Sequence, residues 1–325
     1  MWDAYRQRPL QTVTSLITAV GVLLGVAFTA FGLVYTARTL AATQEGQYTD
    51  RYTKAIEQLA HQAVDVRLGA LYALQRIAVD SPRDRLTIRN VLAAYVRNHD
   101  SCTVKPQPQQ CDEGADFVGT GLASRLPADV QTAFTIASTL TVPNDDPLDF
   151  SLTRFPYTDL QGAHYLRGVN LRDSYLRHAN LSQADLREAD LRKADLINAD
   201  LREARLQGAD LTDADLAQAF LNGLDLRGAD LHATILAGAN LDGADLRGAD
   251  LHGTSLGSAD LHSANLAGAD LTDADLTGAN LTAGTDLTGA KLHGAKLAEA
   301  DLRGAKGMTP GQIRKVAITD ATTMF

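Results

Sequence analysis

The second half of the chain repeats one hydrophobic position every five residues. From Leu166 to Leu281 a leucine occupies each fifth position, which gives 24 successive units. The residue two before the leucine is usually alanine, and the residue directly before it is Asp or Asn in 19 of the 25 units from Leu181 to Leu302. A period of five fits neither a strand, with period 2, nor an α-helix, with period 3.6. It predicts a square coil in which each unit forms one side.

Four sides make a turn of 20 residues, with the leucine and the small residue facing the lumen. Phe150, Phe155 and Leu160 extend the pattern backwards, and four more leucines follow a one-residue shift near Gly284. The predicted rod therefore covers residues 150–306, with about 7–8 coils at the strand spacing of about 4.8 Å. Burial of each leucine is worth about 1.5–3 kcal/mol, so a leucine ladder replaces a conventional core. Representative predicted core residues are Leu186, Leu206, Leu226, Leu246, Leu266, Ala184 and Ala244.

A second hydrophobic pattern lies near the beginning of the chain. Residues 13–35 contain no charged side chain, and Arg8 and Arg38 bracket them. About 20 apolar residues cross the hydrocarbon core of a bilayer, whereas a cleaved signal peptide has an apolar stretch of about 7–15 residues. We therefore predict a short tail over residues 1–12 and a single transmembrane helix over residues 13–36, which places the chain in the cell membrane. An export signal that is cleaved late or not at all is the alternative.

The flanks of this segment leave its orientation open. Two basic residues precede it and three follow it by position 54, a difference too small for the positive-inside rule to decide. We place the repeats in the cytoplasm as a working hypothesis. Gly21 and Gly25 form a GxxxG pair, which allows two helix backbones to approach closely. They are candidates for helix packing and hence for a homo-oligomer.

Residues 43–97 have helical periodicity and form a predicted helical adaptor. Thr49-Asp50 is expected to cap its first helix. The second helix, over about residues 65–81, carries an apolar stripe with the spacing Ala-x-x-Ala-Leu-x-x-Ile. This spacing, together with an Asp-Val-Arg start, resembles a single HEAT-type helix. A third helix is expected over about residues 84–97.

Residues 98–149 are predicted to contain a loop, one short helix near residues 128–140 and a linker. Cys102 and Cys111 flank a part of the loop that is rich in proline and glutamine. In an oxidising compartment the two would close a small disulfide loop, and in the cytoplasm they would be free thiols. Two unrelated surface cysteines are the third possibility.

The last residues, 307–325, break the five-residue period. An open end of a β-helix exposes unpaired backbone groups and core side chains, so a terminal cap is expected there. The sequence Thr-Pro-Gly-Gln at residues 309–312 predicts the start of a short helix in this cap.

Composition and charge narrow the possible functions. The formal net charge is −9, and residues 150–306 carry 23 acidic against 15 basic side chains. This balance argues against direct nucleic-acid binding, because such binding needs a basic surface. Two cysteines are too few for a four-cysteine zinc site, and the sequence has no Gly-rich phosphate loop, HExxH or GxSxG motif. We predict no catalytic residue, no cofactor, no metal and no enzymatic activity.

Residues 20 apart are predicted to stack, which groups the outward side chains into columns. Arg187, Arg227 and Arg247 share one column beside columns of aspartate. Phe220 and Ile235 replace the usual outward Asp or Asn and place two large apolar groups on the surface. These five residues form the candidate surface for an unidentified protein partner. The alternatives are a solvated, cross-paired charge pattern and neutral variation at the two apolar positions.

The tandem unit Ala-(Asp/Asn)-Leu-x-x resembles the pentapeptide repeat family, and the resemblance covers about half of the chain. It implies an all-β right-handed quadrilateral β-helix after the helical segments. The segment over residues 46–81 is similar to a bacterial class of membrane-anchored pentapeptide repeat proteins whose function is largely undefined. Members of the family share no catalytic residue, so the resemblance implies none in this chain.

Two functions follow from this resemblance. The first is a non-enzymatic, membrane-tethered scaffold or protein-interaction module. The second is a DNA-mimicking regulator or protector of a type II topoisomerase such as DNA gyrase, because some family members resemble duplex DNA in size and charge. The arginine columns and the predicted anchor count against the second function.

Overall fold

The computed structural model describes residues 4–99, 127–140, 147–282 and 284–325, and for residues 4–22 and Gly25 it describes the backbone alone. The alternatives for Cys102 and Cys111 lie outside the described residues. Within these ranges the chain forms helices followed by a long stack of square coils. The helices are α1 (Ala4–Leu59), α2 (Val64–Asp80), α3 (Arg85–Asn98), α4 (Ala128–Thr139) and α5 (Pro310–Val316).

Helix α1 is continuous over 56 residues, which corresponds to about 84 Å at the rise of an α-helix. The expected helix start at Thr49-Asp50 is wrong. The Thr49 hydroxyl donates a hydrogen bond to the Glu45 carbonyl at 3.0 Å, which is the bond of a residue in a helix interior. A Thr-Asp pair caps a helix only where the preceding backbone leaves the helical conformation, and nothing between residues 37 and 48 forces it to do so.

The apolar part of α1 is exposed. Leu23, Phe28 and Phe31 are 68%, 82% and 71% exposed. By length and composition, one helix among the described residues is apolar enough to cross a membrane, and an N-terminal signal sequence would meet the same criteria. Gly21 and Gly25, the candidate helix-packing pair, both lie in α1.

The last turns of α1 pack on α2, and α2 also contacts α3 and α4. The apolar stripe expected on the second helix is buried at Ala70, Leu74 and Ile77. On the third helix, where Leu86 and Ile88 were both expected to be buried, Ile88 and Leu92 are buried, but Leu86 is 37% exposed because it lies near the start of the helix on the solvent side. The buried residues of the two helices form the core of a small helical unit.

A buried carboxylate joins three of these helices. Asp129 on α4 is 1% exposed and accepts hydrogen bonds from Arg67 Nε on α2 and from the Tyr95 hydroxyl on α3, each at 2.6 Å. Burial alone would raise the pKa of Asp129, but the hydrogen bonds from Tyr95 and Arg67 and the charge of Arg67 lower it overall. Burial and the bond to Asp129 raise the pKa of Tyr95. The cluster holds one charge pair and one neutral phenol at neutral pH.

The coils stack through parallel bridges between residues that lie 20 apart. Asp190 bridges Asp210, and Asp210 bridges Asp230. In the same column, the Leu191 amide donates to the Asp210 carbonyl at 2.8 Å. The separation is 21 across two shifts, for example between Asn265 and Asp286. A turn of 20 residues with four bridge positions is the predicted square coil.

The lumen is filled as the sequence predicts. The representative inward residues Leu186, Leu206, Leu226, Leu246, Leu266, Ala184 and Ala244 are each 0–2% exposed. The two departures from a small inward residue, Leu224 and Thr234, are buried as well. The Thr234 hydroxyl donates to the Leu211 carbonyl at 3.1 Å, which satisfies its polar atom inside the lumen.

Aromatic side chains close the first coil. Phe134 on α4 stacks on Phe150 with ring centroids 4.5 Å apart and meets Phe155 edge-on at 5.3 Å. Phe150 and Phe155 take the leucine positions of this coil, so α4 lies across the open end of the lumen. The helical unit therefore covers core that would otherwise contact water.

The tail closes the other end. The Thr309 side chain and the Gln312 side chain form a reciprocal capping box at the start of α5, which confirms the predicted helix start. The chain then returns to the stack, where Ile318 bridges Lys296 and Met324 bridges Asp301. The tail thus pairs backbone groups that the last regular coil would leave open.

Candidate interaction surface

The rod has four outward faces, which the chain visits in order. We name them face 1 to face 4 after Leu226, Leu231, Leu236 and Leu241, and each face includes the sides stacked above and below that leucine. The leucine points inward, so the residues directly before and after it point outward on the same side. Each face therefore shows two columns of outward side chains, and the corner residue follows them.

Ion pairs within single repeats cover much of face 1. Arg227 Nε donates to the Asp225 carboxylate at 2.8 Å, and Arg227 Nη2 donates to it at 2.9 Å. Arg187 pairs in the same way with Asp185, and Arg247 with Asp245. The arginine column proposed as a partner surface is therefore engaged by the carboxylates two residues earlier. The same pairing occurs for Arg192 on face 2 and for Arg202 and Arg303 on face 4.

These pairs persist at neutral pH. The hydrogen bond from Arg227 holds the pKa of Asp225 at about 2, and the hydrogen bond from Lys291 does the same for Asp270. Both values lie below the ordinary Asp value of about 3.9, so the pairs contribute above that pH and are lost as the pH falls through about 2. Because the partners are exposed, each pair stabilises the fold only slightly.

Face 3 has a different composition. Between Asp215 and Asp275 its outward and corner positions carry no charged residue. Ile235 lies in the middle of this stretch and is 40% exposed. Phe220 lies at the adjoining first position of face 4 and is 45% exposed. We call this area the uncharged patch, defined by Ala217, Phe220, Ile235, Ala237, Ser255 and Gly257.

The uncharged patch offers exposed apolar side chains for contact and has no charged side chain. Arg202 Cζ lies 5.9 Å from the centroid of the Phe220 ring, which fixes one side of the ring and leaves nearly half of the side chain exposed. The small residues around Ile235 leave its side chain prominent on a flat surface. Full burial of either large side chain by a partner would be worth about 1.5–3 kcal/mol.

Sequence reasoning found Phe220 and Ile235 but missed the rest of the patch. Ala217, Ala237 and Gly257 are unremarkable one by one, and their common feature is a separation of 20 residues. Once the turn length is known, that separation places them in one column. The patch could have been found only from the lack of charged residues along a whole column, because no single residue in it is unusual.

No arrangement for metal binding is seen within the described ranges. No group of three or more His, Cys, Asp or Glu side chains is placed to hold an ion there. His232 and His252 stack with ring centroids 5.3 Å apart on face 2. Two imidazoles without a third ligand are poor support for a zinc site.

The repeats resemble those of known proteins. The sequence pattern of the family described as pentapeptide repeats matches eight copies within residues 165–306. No curated protein sequence matches the chain. Similar solved structures include a pentapeptide repeat protein from the thylakoid lumen of Arabidopsis thaliana. It is 34% identical, and the match covers 34% of this chain and 82% of that one, with a TM-score of 0.29.

Two further solved structures match a longer part of the chain. HetL, a pentapeptide repeat protein involved in heterocyst differentiation regulation in Nostoc sp. strain PCC 7120, is 31% identical over 52% of this chain and 84% of its own, with a TM-score of 0.21. QnrB1, a plasmid-mediated fluoroquinolone resistance protein, is 18% identical over 52% and 90%, with a TM-score of 0.28. Pentapeptide repeats imply a right-handed quadrilateral β-helix, in agreement with the 20-residue turn. Through residues 165–306, the chain belongs to the pentapeptide repeat family.

Proposed function

We propose that the protein is a non-enzymatic, membrane-tethered scaffold that presents the uncharged patch to a protein partner. The observation that carries this proposal is the interruption of a charged, ion-paired surface by the uncharged patch, which contains two exposed large apolar side chains. Exposed apolar surface of this kind marks interaction sites on soluble domains. Helix α1 would supply the tether, and the helical unit would connect it to the rod.

The connection between the helical unit and the rod supports a rigid platform. An Arg97 guanidinium nitrogen on α3 donates to the backbone carbonyl of Asp149 in the first coil and lies 3.2 Å from its carboxylate. Together with the stacking of Phe134 on Phe150, this contact holds the rod against α3 and α4. A platform held in this way would lose little entropy when a partner binds.

The alternative of topoisomerase protection has less support. A surface that imitates DNA needs regularly spaced, unpaired negative charge. Here the arginines two residues after Asp185, Asp225 and Asp245 neutralise much of one acidic face. We expect no effect of the full-length protein on DNA supercoiling by gyrase, with or without a fluoroquinolone. Protection of supercoiling at stoichiometric concentrations would support the DNA-mimic function instead.

The tether is tested by fractionation and labelling of cells that produce the full chain. We expect the full-length protein to stay in the membrane pellet after carbonate extraction. With the repeats in the cytoplasm, a membrane-impermeant maleimide labels Cys102 and Cys111 only after lysis. A shortened, soluble product would contradict the anchor, and labelling in intact cells would reverse its orientation.

The partner surface is tested by site-specific photo-crosslinking in native membranes. A photoreactive amino acid at position 220 or position 235 is expected to give the same cross-linked product. The matched control is position 232, which is exposed on face 2 near the same level of the rod. Ile235→Lys should abolish the product formed from position 220, because a partner would then bury an unpaired charge. Equal cross-linking from position 232 would contradict a specific patch.

A further inference from the structure

The uncharged patch combines one prominent side chain with a column of small ones. On face 3 the residues before and after each leucine form two outward columns, which lie about 6.6 Å apart at the rise of a strand. Ile235 stands in the first column and is 40% exposed. The second column holds Ala237 on the same coil, with Ala217 and Gly257 one coil to either side. A projection and a shallow channel therefore lie side by side on one flat face.

This pattern is complementary to the same face of a second copy. A two-fold axis parallel to the rod, just outside face 3, brings two copies face to face and exchanges the two columns. Ile235 of each copy then lies on Ala237 of the other copy, between Ala217 and Gly257 of that copy. The same contact forms twice, and each large side chain fills the space that the small ones leave.

A second rod that points in the opposite direction fits less well. In an antiparallel pair each column meets its own counterpart, so Ile235 lies on Ile235 and Ala237 lies on Ala237. The two large side chains then hold the faces apart, which leaves gaps between the small ones. Copies anchored through α1 in the same sense also have the same end of the rod toward the membrane. Shape and tether therefore both favour a parallel pair.

Pairing through face 3 also removes little charge from water. No charged residue occupies an outward or corner position of this face between Asp215 and Asp275. In a parallel pair these two carboxylates lie opposite Ala217 and Thr277 of the other copy, and not opposite each other. Pairing through face 1 would instead bury the ion pairs of Arg227 and its neighbours, at a desolvation cost that can exceed the gain. Face 3 is therefore the face best suited to meet an identical face.

The area of this contact makes the tether necessary. Four coils of face 3 measure roughly 20 Å along the rod and about 13 Å across it, or about 260 Å² on each copy. A stable complex between soluble proteins buries about 800 Å² on each partner. Confinement of both copies to one membrane through α1 raises their effective concentration, which compensates for a small contact.

We propose that the uncharged patch binds the uncharged patch of a second copy of this chain, in a parallel pair with two-fold symmetry. This pairing rests on the proposed function, which supplies the tether and the contact surface, and it makes the partner another copy of the protein. Phe220, at the edge of the patch, lies at the rim of the contact. Faces 1 and 2 of both rods stay exposed.

The first test identifies the protein that touches position 235. Two full-length copies with different affinity tags are produced together in native membranes, and one of them carries a photoreactive amino acid at position 235. The cross-linked product is expected to carry both tags, and peptide mapping should place the new bond near Ala237 of the other copy. Position 232 on face 2 is the matched control and should give no product with both tags.

The second test exchanges charges across the contact. The photoreactive residue moves to position 257, where an added side chain meets only an ordinary van der Waals contact. Ile235→Lys in both copies, or Ala237→Glu in both copies, should abolish the product with both tags, since each buries an unpaired charge. Ile235→Lys in one copy with Ala237→Glu in the other should restore it, because the introduced lysine and glutamate then face each other. Ala267→Glu in both copies, in the corresponding column of face 1, should leave the product unchanged.

The outcomes separate this pairing from the proposed function. A product from position 235 that joins one tagged copy to a different protein would overturn the pairing and leave the patch as a binding surface. The lack of any product from position 235 would remove both. A product with both tags that maps position 235 onto itself would overturn the parallel arrangement, and so would a charge exchange that restores nothing.

Discussion

Leu226→Asp is expected to unfold the middle of the β-helix. Leu226 is 2% exposed in the lumen, so the substitution loses about 1.5–3 kcal/mol of apolar burial. It also places a carboxylate among leucines with no cation beside it, which costs several kcal/mol more. Each coil contacts only its neighbours, and a failed coil therefore divides the stack into two shorter pieces.

The matched control for Leu226→Asp is Arg227→Ala at the next position. Arg227 points outward, and its loss removes only a solvent-exposed pair with Asp225, which contributes little to stability. In circular-dichroism melts of the full-length proteins, Leu226→Asp should have a clearly lower melting temperature than Arg227→Ala. Arg227→Ala should melt close to the unchanged protein. Equal melts for the two variants would contradict the inward position of the leucine.

Asp129→Ala is expected to have the second largest effect, and to act on the helical unit rather than on the rod. The substitution leaves the Tyr95 hydroxyl and Arg67 Nε without their acceptor. Removal of one partner from a fully buried pair costs about 3–5 kcal/mol, and the cost here lies toward the lower end because the Arg67 side chain is 16% exposed. Limited proteolysis should then cut the helices before the rod. The control is Asp65→Ala on the exposed start of α2, which should change little.

The same cluster predicts a pH dependence. The pKa of Asp129 is below its ordinary value in the fold, so its contribution is present above about pH 4 and is lost as the pH falls through the lowered value. The pKa of Tyr95 is raised, so its contribution is present below about pH 10 and declines above that pH. Asp129→Asn should weaken the acid dependence of the helical unit. An acid profile identical to that of the unchanged protein would contradict this assignment.

The repeat allowed much of the rod to be predicted from the sequence. A leucine at every fifth position has one efficient way to be buried, and the one-residue shift near Gly284 is visible as a change of phase. The face composition was harder to see, because Ala217 and Ala237 become neighbours only after the turn length is known. The arginine columns were placed correctly. Their engagement by the aspartates two residues earlier depends on side-chain conformation, which spacing alone does not determine.

The helices were less predictable because their ends depend on distant contacts. Thr49-Asp50 has the composition of a cap, yet α1 continues through it until its last turns pack on α2. Asp129 looks like an ordinary acidic residue in the first turn of α4. Its role follows from Arg67 and Tyr95, which are 62 and 34 residues away in the chain. Phe134 likewise packs against residues of the first coil, and no local sequence pattern predicts that contact.

The direction of the inter-coil hydrogen bonds determines how the rod responds to force. The bridges join residues 20 apart and run along the axis, so tension between the two ends acts on them directly. Because coils bind only their neighbours, they would detach in succession from one end. Each detached coil releases 20 residues, or about 66–72 Å of extended chain. A protein held at one end and pulled at the other would therefore lengthen in uniform steps while the remaining coils stay folded.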